Sequence, residues 1–155
     1  MPSTTTSTDR IEKQIRLDSP RSRVWRALTD TKEFGRWFGC ELQGEFVPGK
    51  PTRGHITNKG FEHAIEFSVD EIEPERLFSF RWHPYAIDPA MDYSKEPMTL
   101  VTFTLEPAGS GTLLKVVETG FDAIPASRRT KAFEMNSNGW ASQLERIRKY
   151  LAADA

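Results

Sequence analysis

A single cysteine, Cys40, in 155 residues excludes an internal disulfide and any four-cysteine metal or iron–sulfur site built by one chain. No apolar run approaches the ~18 residues of a membrane span. The Ser/Thr tract in residues 1–9 lacks the hydrophobic segment of a signal peptide and is expected to be a disordered tail. An excess of charge of one sign is also missing. With 21 basic and 22 acidic residues the net charge is −1, so no global field draws the chain to nucleic acid or an anionic membrane. The three histidines have neither HxxH nor HxH spacing. There is no GxGxxG after a strand, no nucleophile elbow, no phosphate loop and no Ser/His/Asp spacing. The expectation is one domain over residues 10–153 in a reducing cytoplasm, with no metal, cofactor, nucleic-acid partner or membrane partner. A chain of this length buries about 68–70% of its unfolded surface, enough for a sizeable core.

What the chain does have is a long amphipathic stretch at its end. On a wheel of about 3.6 residues per turn, Phe133, Trp140, Leu144, Ile147 and Leu151 share one arc, while Lys131, Glu134, Glu145, Arg146 and Lys149 fall opposite. Pro125 suits a first turn, and no proline follows it up to Ala153. The spacing predicts a helix over 125–153, about 42 Å long. Asn136 and Ser137 share the buried arc, and Gly139 sits mid-helix, where it costs about 0.8–1 kcal/mol relative to Ala. Such a face either packs closely or borders a cavity that needs polar groups and backbone proximity.

Upstream, Ile11, Ile15 and Leu17 alternate with Glu12, Gln14 and Arg16 as in a strand with one wet face. Ser19-Pro20 reads as a cap followed by a first-turn proline for a short helix carrying Val24, Trp25 and Leu28. Its arginines at 21, 23 and 26 read as a solvated face. Asp30 with Glu33 resembles a capping box for a second short helix with Phe34, Trp37 and Phe38, ending near Gly39. Turn chemistry then separates six further strands near 41–47, 52–58, 62–72, 76–83, 98–106 and 112–120. The link from Pro84 to Pro97 is long, with Tyr85, Ile87, Met91 and Tyr93 as apolar groups, and reads as a flap over a cavity or a cover for an edge or second subunit. The sum is an α+β fold, a seven-stranded antiparallel sheet around the terminal helix with two short helices between strands 1 and 2.

Strand alternation selects the candidate site residues. Leu114, Val116 and Glu118 share the face without lysine, which turns Glu118 inward; a buried carboxylate there needs a partner or has a raised pKa. His63, Ile65, Phe67 and Val69 share a face, making His63 a second inward polar group. Phe78, Phe80 and Trp82 form an aromatic stripe. With Trp37, Phe38, Phe103, Phe133 and Trp140 it makes either a solid core or an apolar pocket of small-molecule type. Tyr85 from the long link and Asn136 from the helix complete the candidate lining.

The runs Ser19-Pro20-Arg21-Ser22-Arg23-Val24-Trp25-Arg26-Ala27-Leu28-Thr29-Asp30 and Phe34-Gly35-Arg36-Trp37-Phe38 resemble the opening of the START-like helix-grip superfamily, in the branch related to the activator of Hsp90 ATPase. Glu73-Pro74-Glu75-Arg76-Leu77 with Phe80-Arg81-Trp82, Gly111-Thr112-Leu113-Leu114 with Gly120-Phe121, and Gly139-Trp140 with Leu144 and Tyr150-Leu151 match in order. The resemblance implies a helix-grip fold, but the superfamily hosts carriers, cyclases and co-chaperone domains. The leading expectation is non-covalent binding of a small, largely apolar molecule, aromatic or acyl, between sheet and helix. The alternatives are a cyclase- or hydrolase-like enzyme using Glu118 and His63, and a chaperone-binding module; a homodimer stays open. A vanillate demethylase reductase label, sometimes given to similar chains, conflicts with the single cysteine and missing GxGxxG.

Overall fold

A computed structural model describes residues 9–57, 63–85 and 90–153. The elements run β1 (Arg10–Leu17), α1 (Arg21–Thr29), α2 (Thr31–Phe38), β2 (Cys40–Leu42), β3 (Pro51–Ile56), β4 (Ala64–Glu73), β5 (Leu77–Trp82), β6 (Thr99–Ala108), β7 (Gly111–Thr119), a single 3-10 turn at Phe121–Ala123, and α3 (Ala126–Ala153). All seven strands join one sheet in the order β1-β7-β6-β5-β4-β3-β2, antiparallel at every step. Strands β2 to β7 are a meander of neighbours in sequence. Only β1 is out of order, so α1 and α2 carry the chain from one sheet edge to the other. No described helix is long and apolar enough to cross a membrane.

The period of two sorts each strand. In β7, Leu114, Val116 and Glu118 are buried, and opposite them β6 contributes Val101, Phe103 and Leu105. Phe78 and Phe80 of β5 and Phe67 and Val69 of β4 continue this inner face. Against it, α3 lays Ala132, Trp140, Leu144, Ile147 and Leu151. Burying each large apolar side chain contributes about 1.5–3 kcal/mol, so this interface is what makes a single long helix stable.

The helical pair is tied down by one carboxylate. Asp30 caps α2, its side chain accepting from the backbone N–H of Lys32 and Glu33 at 2.9 and 3.1 Å. Glu33 does not reach back as a capping box would. Instead it pairs with Arg23 at 2.8 Å and Arg26 at 2.7 Å and accepts from the Tyr150 hydroxyl at 2.8 Å. Burial opposes ionisation of Glu33, yet the bonds from Tyr150, Arg23 and Arg26 outweigh it and hold the pKa below the ordinary value. So Arg23 and Arg26 lock α1 and α2 to the end of α3 rather than forming a free solvated face; Arg21 alone of the three is exposed without such a role.

Several boundaries differ from the sequence reading. Pro20 is itself the cap of α1, without a side-chain cap bond, and the Ser19 carbonyl accepts from Thr112 Oγ1 at 2.8 Å. Expected over 41–47, β2 ends at Leu42. Gly44 adopts φ +78° and its carbonyl accepts from Thr31 Oγ1 at 2.7 Å, turning the chain so that Phe46 drops into the core against Phe34, Phe67 and Phe78. The other strands agree within about two residues. The tail at 1–8, the turn at 58–62 and the centre of the long link at 86–89, including Ile87, lie outside the described residues.

Candidate functional site

Between the β3 to β5 end of the sheet and the middle of α3 lies a pocket of about 600 Å³. Its floor is aromatic. Trp82 and Trp140 stack at 5.7 Å between ring centroids, and Phe38 lies 6.0 and 6.2 Å from them. Helix α3 supplies Met135, Asn136, Gly139, Trp140 and Gln143; β3 and β4 supply Arg53, His55, Ile56, Ala64, Ile65 and Glu66; Tyr85 and Tyr93 close one end. The spacing 136, 139, 140, 143 is one face of a helix, which is why a single element can line so much of the wall.

Beneath this floor is Glu118, fully buried. Its Oε1 accepts from Trp140 Nε1 at 2.8 Å and Asn136 Nδ2 at 3.0 Å. Its Oε2 accepts from Trp82 Nε1 at 2.7 Å and the Thr99 hydroxyl at 2.6 Å. These donors are all neutral. Burial therefore dominates and raises the carboxyl pKa, with the bonds from Thr99, Trp82, Trp140 and Asn136 acting in the opposite direction. What the carboxylate does geometrically is clear: an indole N–H on each oxygen fixes both tryptophans, and Asn136 ties α3 to the same point.

Of the sequence candidates, Phe38, His63, Trp82, Tyr85, Asn136 and Trp140 line the pocket. Trp37, Phe67, Phe80, Phe103, Phe133 and Glu118 do not. Trp37 donates its indole N–H to the Ala27 carbonyl at 2.8 Å, inside the helical pair. Phe67, Phe80 and Phe103 are fully buried in the aromatic layer below the floor. Phe133 packs on Phe121 at 5.3 Å, near the start of α3. The stripe is thus core along β4 to β6 and pocket only at its Trp82 end. Ser137 also lies outside the lining. His63 reaches the pocket but is not a partner of Glu118; its Nδ1 lies 2.9 Å from the Ala64 carbonyl. The two expected acid–base partners are not joined.

Gly139 overturns the expected close approach: a Cβ built there meets nothing within 4 Å. It leaves room in the pocket instead of admitting another backbone. Sequence reasoning missed Gln143, His55, His83 and Arg53 as lining residues and named Tyr93 only as an apolar group of the long link. Gln143 had a signal, since it continues the 136-139-140 face by one turn. The strand residues had none, because the same alternation places wet rim and pocket wall on equivalent positions.

The long link is stapled by Arg128 of α3, which pairs with Glu96 at 2.6 Å, donates to the carbonyls of Pro84 and Tyr85 at 2.8 and 3.2 Å, and lies over the Tyr93 ring at 4.8 Å. His83 Nε2 is 3.1 Å from the Glu96 carbonyl. No group of three metal-ligating side chains occurs among the described residues. Cys40 is buried and its thiol is pushed up to about 12 by that burial, so it is not a thiolate at neutral pH.

A helical pair after the first strand, a six-stranded meander and a terminal helix held in the sheet define the START-like helix-grip class. Within it, the chain belongs to the family of activator of Hsp90 ATPase homolog 1-like proteins, whose model matches residues 18–152. Among solved structures it is similar to protein MLL2253 from Mesorhizobium loti, with 25% identity, TM-score 0.74, and coverage of 94% of this chain and 98% of that one. It is similar to DynU16, encoded in the dynemicin biosynthetic locus, with 25% identity and TM-score 0.71 over 93% of this chain and 47% of that one, so it spans about half of DynU16. The Aha1 dimer from Colwellia psychrerythraea shares the fold at 17% identity and TM-score 0.66, over 90% of this chain and 92% of that one. No curated protein is significantly similar.

Proposed function

We propose that the protein binds a small, largely apolar molecule, aromatic or acyl, in the pocket between the sheet and α3. One observation carries this reading: the pocket's floor is two stacked indoles whose N–H groups are both consumed by Glu118, so that what they turn to the pocket is apolar ring surface with no free donor. A volume of about 600 Å³ lies within the range of ligand sites. The kinship with DynU16 supports a small-molecule role, since that protein is encoded in a biosynthetic locus. Work in a reducing compartment such as the cytoplasm fits a lone buried thiol.

The test is titration of the purified protein with a panel of apolar aromatic and acyl compounds, read by tryptophan emission. Micromolar binding, about −8 kcal/mol, is expected, with the signal arising from Trp82 and Trp140. Native mass spectrometry of gently purified protein reports retained ligand and subunit number together. Absence of any saturable response across the panel, with no retained mass, refutes the reading.

A further inference from the structure

The pocket has a gradient of polarity. Its inner end is apolar and closed: Phe38 and Trp140 are 5% and 2% exposed, and the indole N–H groups of Trp82 and Trp140 are already given to Glu118. Its mouth along β3 and β4 is charged and wet, with the side chains of Arg53 and His55 70% and 57% exposed. The apolar body of a ligand gains by entering the inner end, while an ionised group left at the mouth keeps part of its water and avoids the cost of burying a charge.

The charge around the pocket is biased in sign. All three histidines of the chain, His55, His63 and His83, border it together with Arg53, a permanent cation; among the described residues Glu66 is the only carboxylate in the lining. Arg53 offsets Glu66, to which it donates from Nε at 2.7 Å, and its two Nη groups are not spent on that bond. A histidine ring is neutral or positive and never negative. Near neutral pH the described lining therefore carries no net negative charge, and each ring that takes a proton makes it more positive. Two other carboxyls lie close by without joining the lining. Glu41 of β2 is 3.5 Å from His55 Nε2, and Glu118 sits beneath the indoles, where burial favours its uncharged form.

Resting on the proposed binding role, we propose that the ligand is an amphipathic acid, with an aromatic or acyl body on the indole floor and an ionised carboxylate at the mouth, held by the Nη groups of Arg53 among the histidine rings. A guanidinium fits a carboxylate through two parallel N–H donors, which gives the acid end direction as well as charge. Bodies of the same shape that end in a neutral or cationic group bind more weakly.

Isothermal calorimetry on the intact chain with 2-naphthoate, 2-naphthamide and 2-(aminomethyl)naphthalene at pH 7 and low ionic strength tests this. The ring is constant and the polar group changes from anion to neutral to cation. The expected result is 2-naphthoate bound about fivefold or more tighter than the amide, with the amine weakest. In Arg53→Gln the preference for the acid falls toward parity; in Glu66→Gln it widens, a gain that damage to the fold does not produce. Both side chains are at least 41% exposed, and circular dichroism checks that the variants fold; should either not fold, the wild-type panel decides alone. Equal or tighter binding of the amide or the amine by the wild-type protein overturns the acid inference and leaves the apolar pocket standing. A preference that persists unchanged in folded Arg53→Gln overturns the placing of the carboxylate at Arg53. Saturable binding of none of the three, together with a silent panel in the fluorescence titration, removes the pocket reading and this inference with it.

Discussion

Replacing Glu118 with Gln tests whether the carboxylate organises the site. The substitution keeps size and shape but converts one of two acceptor oxygens into an NH2. Placed at the Oε2 position, that NH2 can donate to the Thr99 hydroxyl, but the Trp82 N–H then loses its acceptor; placed at Oε1, it opposes the Trp140 N–H. In both orientations one buried indole donor is orphaned, a cost of about 1–3 kcal/mol. Relief of the buried charge offsets part of this, so a net loss of about 1–2 kcal/mol is expected at pH 7, against a total stability of about 5–15 kcal/mol. The pH dependence has a definite sign. Because burial raises the folded-state pKa, the folded protein binds the proton more tightly than the unfolded chain. Stability linked to Glu118 is fully present below the unfolded value of about 4.3 and is lost as pH rises through the folded pKa. The Gln variant does not titrate here, so its deficit should be largest at acid pH and shrink toward neutrality. Urea unfolding of both proteins at about pH 4 and 7, followed by tryptophan emission, measures this. A variant equal to wild type at both pH values with unchanged emission would show that Glu118 does not hold the indoles, and a deficit that grows with pH would mean the carboxyl pKa is depressed.

Glu33→Gln should behave oppositely in pH, because this carboxyl is held below its ordinary value: its stabilisation is present above the unfolded pKa and lost as pH falls through the folded one, and a cost of about 2 kcal/mol at pH 7 should vanish in acid unfolding curves. Arg128→Met removes the staple on the long link and should speed hydrogen exchange of amides 90–96 by at least about tenfold, with a loss of about 3 kcal/mol; unchanged exchange there would show that the link holds itself. Gly139→Ala should raise thermal stability by up to about 0.8–1 kcal/mol, since its Cβ enters open space, while weakening binding of bulky ligands by filling the pocket; a destabilised variant would refute the geometry.

The architecture was legible because its signals are local and repeated. Period-two runs, turn residues and one uninterrupted apolar arc specify seven strands and α3 without knowledge of what they touch. Signals carried by one residue were mixed: Asp30 and Gly39 bound α2 as expected, whereas Ser19-Pro20 gave the wrong cap and the run 41–47 hid a turn imposed by Gly44 and Thr31. The inward placement of Glu118 also followed from alternation alone. Its role did not, because alternation states which face a side chain takes and not what lies beyond it. Trp82, Thr99, Asn136 and Trp140 come from β5, β6 and α3, up to 36 residues away from Glu118, and only the folded chain brings their donors to one carboxylate. The same holds for the aromatic stripe. Phe80 and Trp82 are equivalent in sequence pattern, yet one is sealed under Phe67 and Phe103 and the other borders the pocket that lies between α3 and the β3–β4 part of the sheet. Periodicity decides sides; the distance between packed layers, which no single segment encodes, decides whether a side becomes core or cavity.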